Sequence, residues 1–122
     1  MQPYDESNIF ARILRGEIPA QKVYEDDDIL AFHDITPKAP IHVLVIPKGK
    51  YVTLHDFYSH AEAEELLRFS QAVVHVIDQL GLQKDGYRIL ANCGLFGGQE
   101  VPHFHLHILA GRPLGPMIAP LS

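Results

Sequence analysis

A chain of 122 residues, 47% hydrophobic and 20% charged, has the length of one compact domain and the composition of neither a disordered nor a low-complexity protein. Its formal net charge of −5 offers no basic stripe to a nucleic-acid polymer or an anionic membrane, so any bound phosphate has to be held by local groups. A small phosphate ester fits that balance better than a polymer, and a single domain over 1–122 is expected.

At the start of the chain, Ser7 can cap a short helix running to about Arg15. Ile9 and Ile13, and Phe10 and Leu14, stand at i, i+4 spacing, and Gly16 follows in the position that ends helices. The acidic start, Met1 to Glu6, has no apolar signal region, and no apolar run reaches the roughly 18 residues of a membrane span. With Cys93 the one cysteine, no internal disulfide can form, and a reducing, cytoplasmic setting is expected. Cys93 itself reads as a small buried residue.

Lys22–Glu25 and Ile29–Asp34 read as two strands of a hairpin joined across Asp26-Asp27-Asp28. Pro37 and Pro40 bracket a loop, and Ile41–Ile46 is a nearly all-apolar strand in which His42 needs a partner. Ser59 followed by Glu62 has the capping-box spacing for a longer helix, with Leu66, Phe69, Val73, Val76, Ile77 and Leu80 as its buried stripe and Gly81 as its stop. His55, His60 and His75 read as exposed or incidentally packed. Gly86–Asn92 alternates as a fourth strand.

Between that strand and the next lies Cys93-Gly94-Leu95-Phe96-Gly97-Gly98-Gln99-Glu100-Val101. Its glycines suit a plain hairpin loop. They equally suit a concave arrangement of main-chain N–H groups around an anion, placed a few residues ahead of the histidines.

The fifth strand is His103-Phe104-His105-Leu106-His107-Ile108-Leu109. Alternation puts His103, His105 and His107 on one face and Phe104, Leu106 and Ile108 on the other. A strand rise of about 3.4 Å per residue separates His103 from His107 by roughly 13 to 14 Å, too far for all three rings to ligate one ion easily. A metal would need further ligands. His42 could supply one, but no cysteine pair or carboxylate cluster flanks the strand, so chemistry at imidazole without a metal or other cofactor is the favoured reading. A histidine-rich strand facing solvent is the bland alternative.

With these residues in view, the sequence resembles the histidine triad (HIT) superfamily, whose motif is His-x-His-x-His followed by two apolar residues. The likeness extends to the Hint branch, the nucleoside phosphoramidases, through Ile9-Phe10, Gly16-Glu17-Ile18-Pro19-Ala20, Leu30 to Ile35, Ala39-Pro40-Ile41-His42, Gly97-Gly98-Gln99 and Gly111-Arg112-Pro113. The resemblance implies an α+β fold: a five-stranded antiparallel sheet with one long and one short helix, paired into a homodimer. It implies a purine nucleoside phosphoramidate hydrolase that releases AMP or GMP and an amine, with dinucleoside polyphosphate hydrolase, nucleotidyl transferase and nucleotide-binding regulatory module as alternatives.

By the same resemblance His105 is the nucleophile and forms a nucleotidyl-histidine. His107 bonds the phosphate, and His103 and His42 form a relay that keeps the His105 tautomer nucleophilic. Asp34 accepts from the ribose hydroxyls, and Ile18, Phe32, His33 and Ile35 form the purine pocket. Asn92 with the backbone of Gly98, Gln99, Glu100 and Val101 holds ribose and phosphate. The chain departs from many Hint proteins in carrying Glu100 and Pro102 where Ser and Tyr are common, and an ionised Glu100 can accept but not donate a hydrogen bond. The tail from Arg112 to Met117 is expected to shape the partner subunit's leaving-group pocket.

Overall fold

The structure, a computed structural model, describes residues 3–120; Met1, Gln2, Leu121 and Ser122, the ends of the expected 1–122 domain, lie outside the described residues. The elements in chain order are α1 (Ile9–Leu14), β1 (Lys22–Glu25), β2 (Ile29–His33), β3 (Ile41–Pro47), α2 (Leu54–His60), α3 (Ala63–Gln79), β4 (Arg88–Leu90), α4 (Gly94–Gly97) and β5 (Leu106–Ala110). The five strands form one sheet in the order β1-β2-β3-β5-β4, antiparallel throughout. Among the described residues no helix is long and apolar enough to cross a membrane.

Local chemistry accounts for the hairpin. Asp26 Oδ1 accepts from the N–H groups of both Asp28 and Ile29 at 2.8 Å, turning the chain so that Glu25 pairs with Leu30. A carboxylate that ties down its own following backbone is a turn device in itself.

β2 and β3 are apolar on both faces because each face is covered. On one face Ile29, Ala31, Val43, Val45, Ile108 and Ala110 pack against Phe69, Ala72 and Val76 of α3, with Phe57 and Phe104 completing the core. On the other, Leu30, Phe32, Leu44 and Ile46 pack against Phe10 of α1. Since Leu44 pairs directly with His107, that imidazole belongs to the α1 face. Phe57, fully buried, lies within 5.1–5.3 Å of the rings of Tyr51, Phe69 and Phe104.

Several boundaries differ from the sequence reading. α1 is capped by Asn8, not Ser7: Asn8 Oδ1 accepts from the Ala11 N–H at 2.9 Å, while Ser7 is turned onto Asp5. The expected long helix from Ser59 divides in two. Thr53 caps α2, which ends before Ala61, and the capping box of α3 is Glu62 with Glu65. The count of one long and one short helix therefore rises by α2 and by α4. β4 is shorter than Gly86–Asn92, and Cys93 is exposed because it opens α4 on the surface.

The largest difference concerns the histidines. β5 begins at Leu106, so His103 and His105 precede the paired ladder. Pro47, at the end of β3, has no N–H to extend the pairing, and its carbonyl accepts from the His103 side chain at 2.8 Å.

Candidate active site

His42 and His107 meet because β3 and β5 are neighbours and both rings project from the α1 face. His42 Nε2 lies 2.8 Å from His107 Nδ1, and the tautomers follow from the obligatory donors and acceptors around them. The Lys38 N–H donates to His42 Nδ1 at 3.0 Å, so a neutral His42 carries its proton on Nε2 and donates it to His107 Nδ1. His107 then carries its own proton on Nε2. That nitrogen is buried and has no hydrogen-bond partner among the described residues. It is a buried donor that the described residues leave free to bond a ligand atom.

His105 is held in the complementary state. Its Nδ1 lies 2.7 Å from the His103 carbonyl oxygen, which can only accept, so the proton is on Nδ1 and the Nε2 lone pair is open. The ring is 6% exposed, edge-on to Phe10 at 5.0 Å and to His107 at 5.0 Å. A lone-pair donor and an N–H donor therefore stand side by side.

His103 does something different from its neighbours. Fully buried, it donates from Nε2 to the Pro47 carbonyl and accepts at Nδ1 from the Tyr4 hydroxyl at 2.5 Å. The expected relay thus divides: His42 addresses His107, whereas His105 is held by the main chain of His103 and not by its ring. Phe10, Tyr4, Pro47 and the Lys38 N–H were not marked as site groups by the sequence. Phe10 carried a helix-core signal and a place in one block of the family resemblance, with no site role attached, and Tyr4 carried neither.

Burial keeps these rings neutral. It pushes His103 and His107 down to about 4, with the neighbouring His105 adding to both, and it lowers His42 and His105, where Asp34 partly opposes it. On acidification the unfolded chain takes up protons at ordinary histidine values, near 6.5, while the folded chain resists until about 4. Stability should therefore be complete above about pH 6.5 and decline towards pH 4, by up to roughly 3 kcal/mol for each fully shifted ring. Calorimetric Tm values measured between pH 7.5 and 4 check this, and a flat profile would show that the rings are not held neutral.

Asp34, His42 and His107 also bring ligand atoms within 4.8 Å of one another. For His42 Nε2 to ligate a cation, its proton would have to move to Nδ1, where it would face the Lys38 N–H. Two donors would then oppose each other, which disfavours a resident metal at this trio.

Beside the imidazoles a cleft of about 540 Å³ is lined by Ile18, Phe32, His33, Asp34 and Ile35 together with Ile9, Phe10, Ile13 and Leu44. All five residues expected around base and ribose therefore converge. Ile35 is 90% exposed. Asp34 Oδ1 accepts from the Thr36 N–H at 2.9 Å, and its Oδ2 lies 3.5 Å from His42 Nε2, so the carboxylate is oriented with lone pairs to spare.

The glycine loop is partly spent on itself. The Gly98 and Gln99 N–H groups donate to Leu95 and Gly94 carbonyls, and Gly98 takes a left-handed φ of 73° that closes the α4 turn. The Gln99 side chain accepts from the Gly94 N–H and donates to the carbonyls of Val52 and Val101. Among the described residues the N–H groups of Glu100 and Val101 have no protein acceptor, and Val101 packs against the Phe10 cluster next to the imidazoles. An anion would be met there. Glu100 and Gln99 also line a second cleft of about 810 Å³ with Thr53, His55, Asp56 and His60. Asn92 is half-buried between β4 and α4.

A model of the HIT domain matches residues 15–114. The chain is 56% identical over 115 residues to an uncharacterized 13.2 kDa HIT-like protein of Azospirillum brasilense, with 94% of each covered. It is 47% identical over 115 residues to the purine nucleoside phosphoramidase of Escherichia coli K12, covering 93% of this chain and 95% of that one. The solved structure of a HIT family hydrolase from Clostridium thermocellum superposes with a TM-score of 0.84 at 38% identity, over 93% of this chain and 98% of that one.

Proposed function

Since the chain belongs to the HIT domain family, we propose that it is a metal-independent hydrolase of purine nucleoside phosphoramidates that works through a nucleotidyl intermediate on His105. The observation that carries this reading is the hydrogen bonding that assigns opposite tautomers to the two rings: His105 is left with a lone pair at Nε2, and His107 with an N–H at Nε2.

The His105 lone pair attacks the α-phosphorus of the nucleotide, forming an N–P bond as the P–N bond to the amine breaks. The departing nitrogen leaves with a proton drawn from water. His107 Nε2–H donates to a phosphoryl oxygen, as the N–H groups of Glu100 and Val101 do, and these donors meet the charge that builds up in the transition state. Water then attacks the same phosphorus, the N–P bond to His105 breaks, and the borrowed proton returns to solvent with release of the monophosphate. Two displacements at phosphorus, with a neutral imidazole nitrogen entering in the first and leaving in the second, replace one difficult displacement by water.

The cleft beside Asp34 has walls suited to a purine and a carboxylate suited to two ribose hydroxyls. The E. coli relative named a purine nucleoside phosphoramidase supports the same substrate class. We further take the protein to act as a homodimer in the cytoplasm. β4 is an edge strand, and Ile89 on it and Tyr87 just before it are about 40% exposed, which suits pairing with a second copy. The tail would then reach the neighbouring site; within its own chain Gly115 and Pro116 accept from Arg88.

The test compares turnover of a synthetic adenosine phosphoramidate with that of a diadenosine polyphosphate, each before and after exhaustive chelation. Rapid, chelation-resistant release of the amine is the expected result. Preference for the polyphosphate would move the assignment to a dinucleotide hydrolase. Loss of activity that zinc restores would defeat the metal-free mechanism, and binding without turnover of either compound would leave a nucleotide-binding module.

A further inference from the structure

The hydroxyl of Tyr4, from the segment ahead of α1, is within 2.5 Å of His103 Nδ1. Because the other nitrogen of His103 donates to the Pro47 carbonyl, Nδ1 has to accept, so the phenol is the donor. Burial raises the Tyr4 pKa, which keeps that proton in place. The phenol meets the imidazole edge-on at 5.6 Å and 74°.

The segment that delivers Tyr4 is tethered on several sides. Lys50 Nζ reaches Glu6 Oε1 at 2.7 Å, Arg15 donates to the Glu6 carbonyl at 2.8 Å, and Asp5 accepts from both the N–H and the hydroxyl of Ser7. The Asn8 side chain donates to the Asp5 carbonyl at 2.7 Å and caps α1 with its oxygen. Tyr4 is therefore placed by the same contacts that begin the helix carrying Phe10, whose ring touches His105.

We propose that Tyr4 is a positioning residue for His105: by closing the second nitrogen of His103 it fixes that residue's ring, and with it the main-chain carbonyl that holds the nucleophile's Nδ1–H. The proposal rests on His105 being the nucleophile. Without the hydroxyl, His103 Nδ1 is a fully buried acceptor lacking a partner, a condition costly enough that the ring has to turn or change tautomer. Either response breaks the bond to Pro47 and disturbs a residue that no strand pairing restrains. The carbonyl of His103 then no longer presents a constant acceptor, and the lone pair of His105 loses its direction.

The experiment uses the full chain with Tyr4→Phe and Tyr4→Ala, kinetics on an adenosine phosphoramidate, and NMR of the imidazole nitrogens. Tyr4→Phe should lower kcat about tenfold with KM changed less than about twofold, because the loss falls on alignment and not on binding. The His103 Nδ1 resonance should move away from that of a hydrogen-bonded acceptor. Tyr4→Ala should have nearly the same kcat as Tyr4→Phe, with any further loss confined to Tm, since the hydroxyl is the working group. Wild-type kcat in Tyr4→Phe, or a lower kcat with unchanged His103 resonances, would overturn the proposal. If trapped wild-type enzyme carries its nucleotide on a residue other than His105, the nucleophile assignment fails instead, while the nitrogen resonances still report separately on the Tyr4–His103 bond.

Discussion

Replacing His105 with alanine is expected to lower phosphoramidate turnover by roughly three to four orders of magnitude or more while leaving affinity for the free monophosphate nearly unchanged. The ring lies beside the cleft along Asp34 and is not part of its lining, so under the proposed mechanism its removal erases the route through a covalent intermediate and spares the contacts proposed to hold the nucleotide. Calorimetric titration with AMP and GMP measures the second half of that statement. Intact-mass spectrometry with peptide mapping addresses the first, because a trapped nucleotidyl group should map to His105 in the wild-type chain. An adduct on Cys93, which is exposed, or on His103, whose nitrogens are both engaged, would overturn the assignment.

His42→Ala should cost roughly a hundredfold in kcat although His42 need never touch substrate. Its Nε2–H occupies His107 Nδ1; once it is gone, His107 is free to place its single proton on either nitrogen. The population that presents Nε2–H to phosphate shrinks, and the Lys38 N–H loses its acceptor at the same time. If the two rings act as one unit, His42→Ala and His107→Ala combined should lose little more than His107→Ala alone. Strictly additive losses in that double-mutant cycle would show that His42 acts elsewhere.

Much of the frame was legible because it depends on side-chain patterns. Lys22–Glu25, Ile29 onward and Ile41 onward read as strands from their bounding turn residues and from an apolar run buried on both faces. The convergence of Ile18, Phe32, His33, Asp34 and Ile35 followed from the family resemblance; composition alone would have assigned the apolar members to packing. α2 escaped detection because Leu54–His60 spans less than two turns and buries only Asp56 and Phe57. The relay was misdrawn for a different reason. What fixes the tautomers of His42 and His105 is a main-chain N–H and a main-chain carbonyl, and every residue but proline carries both. Nothing in a string of side chains shows which of them will be free. Tyr4 stands 99 positions from the ring it meets, with no pattern linking the two.

The early end of the β4–β5 pairing, at Leu90 and His107, sets stability against reactivity at one position. In a sheet whose edge strand β4 ran on to residue 94, the His103 carbonyl would be drawn to a main-chain donor opposite it, as interior carbonyls are. That extra bond would strengthen the fold, yet it would compete with the Nδ1–H of His105 for the same oxygen. A thermostabilising design that lengthened β4 through the start of α4 would accordingly tend to disarm the enzyme it protected. Tolerance over 91–94 should be judged by rate as well as by melting temperature.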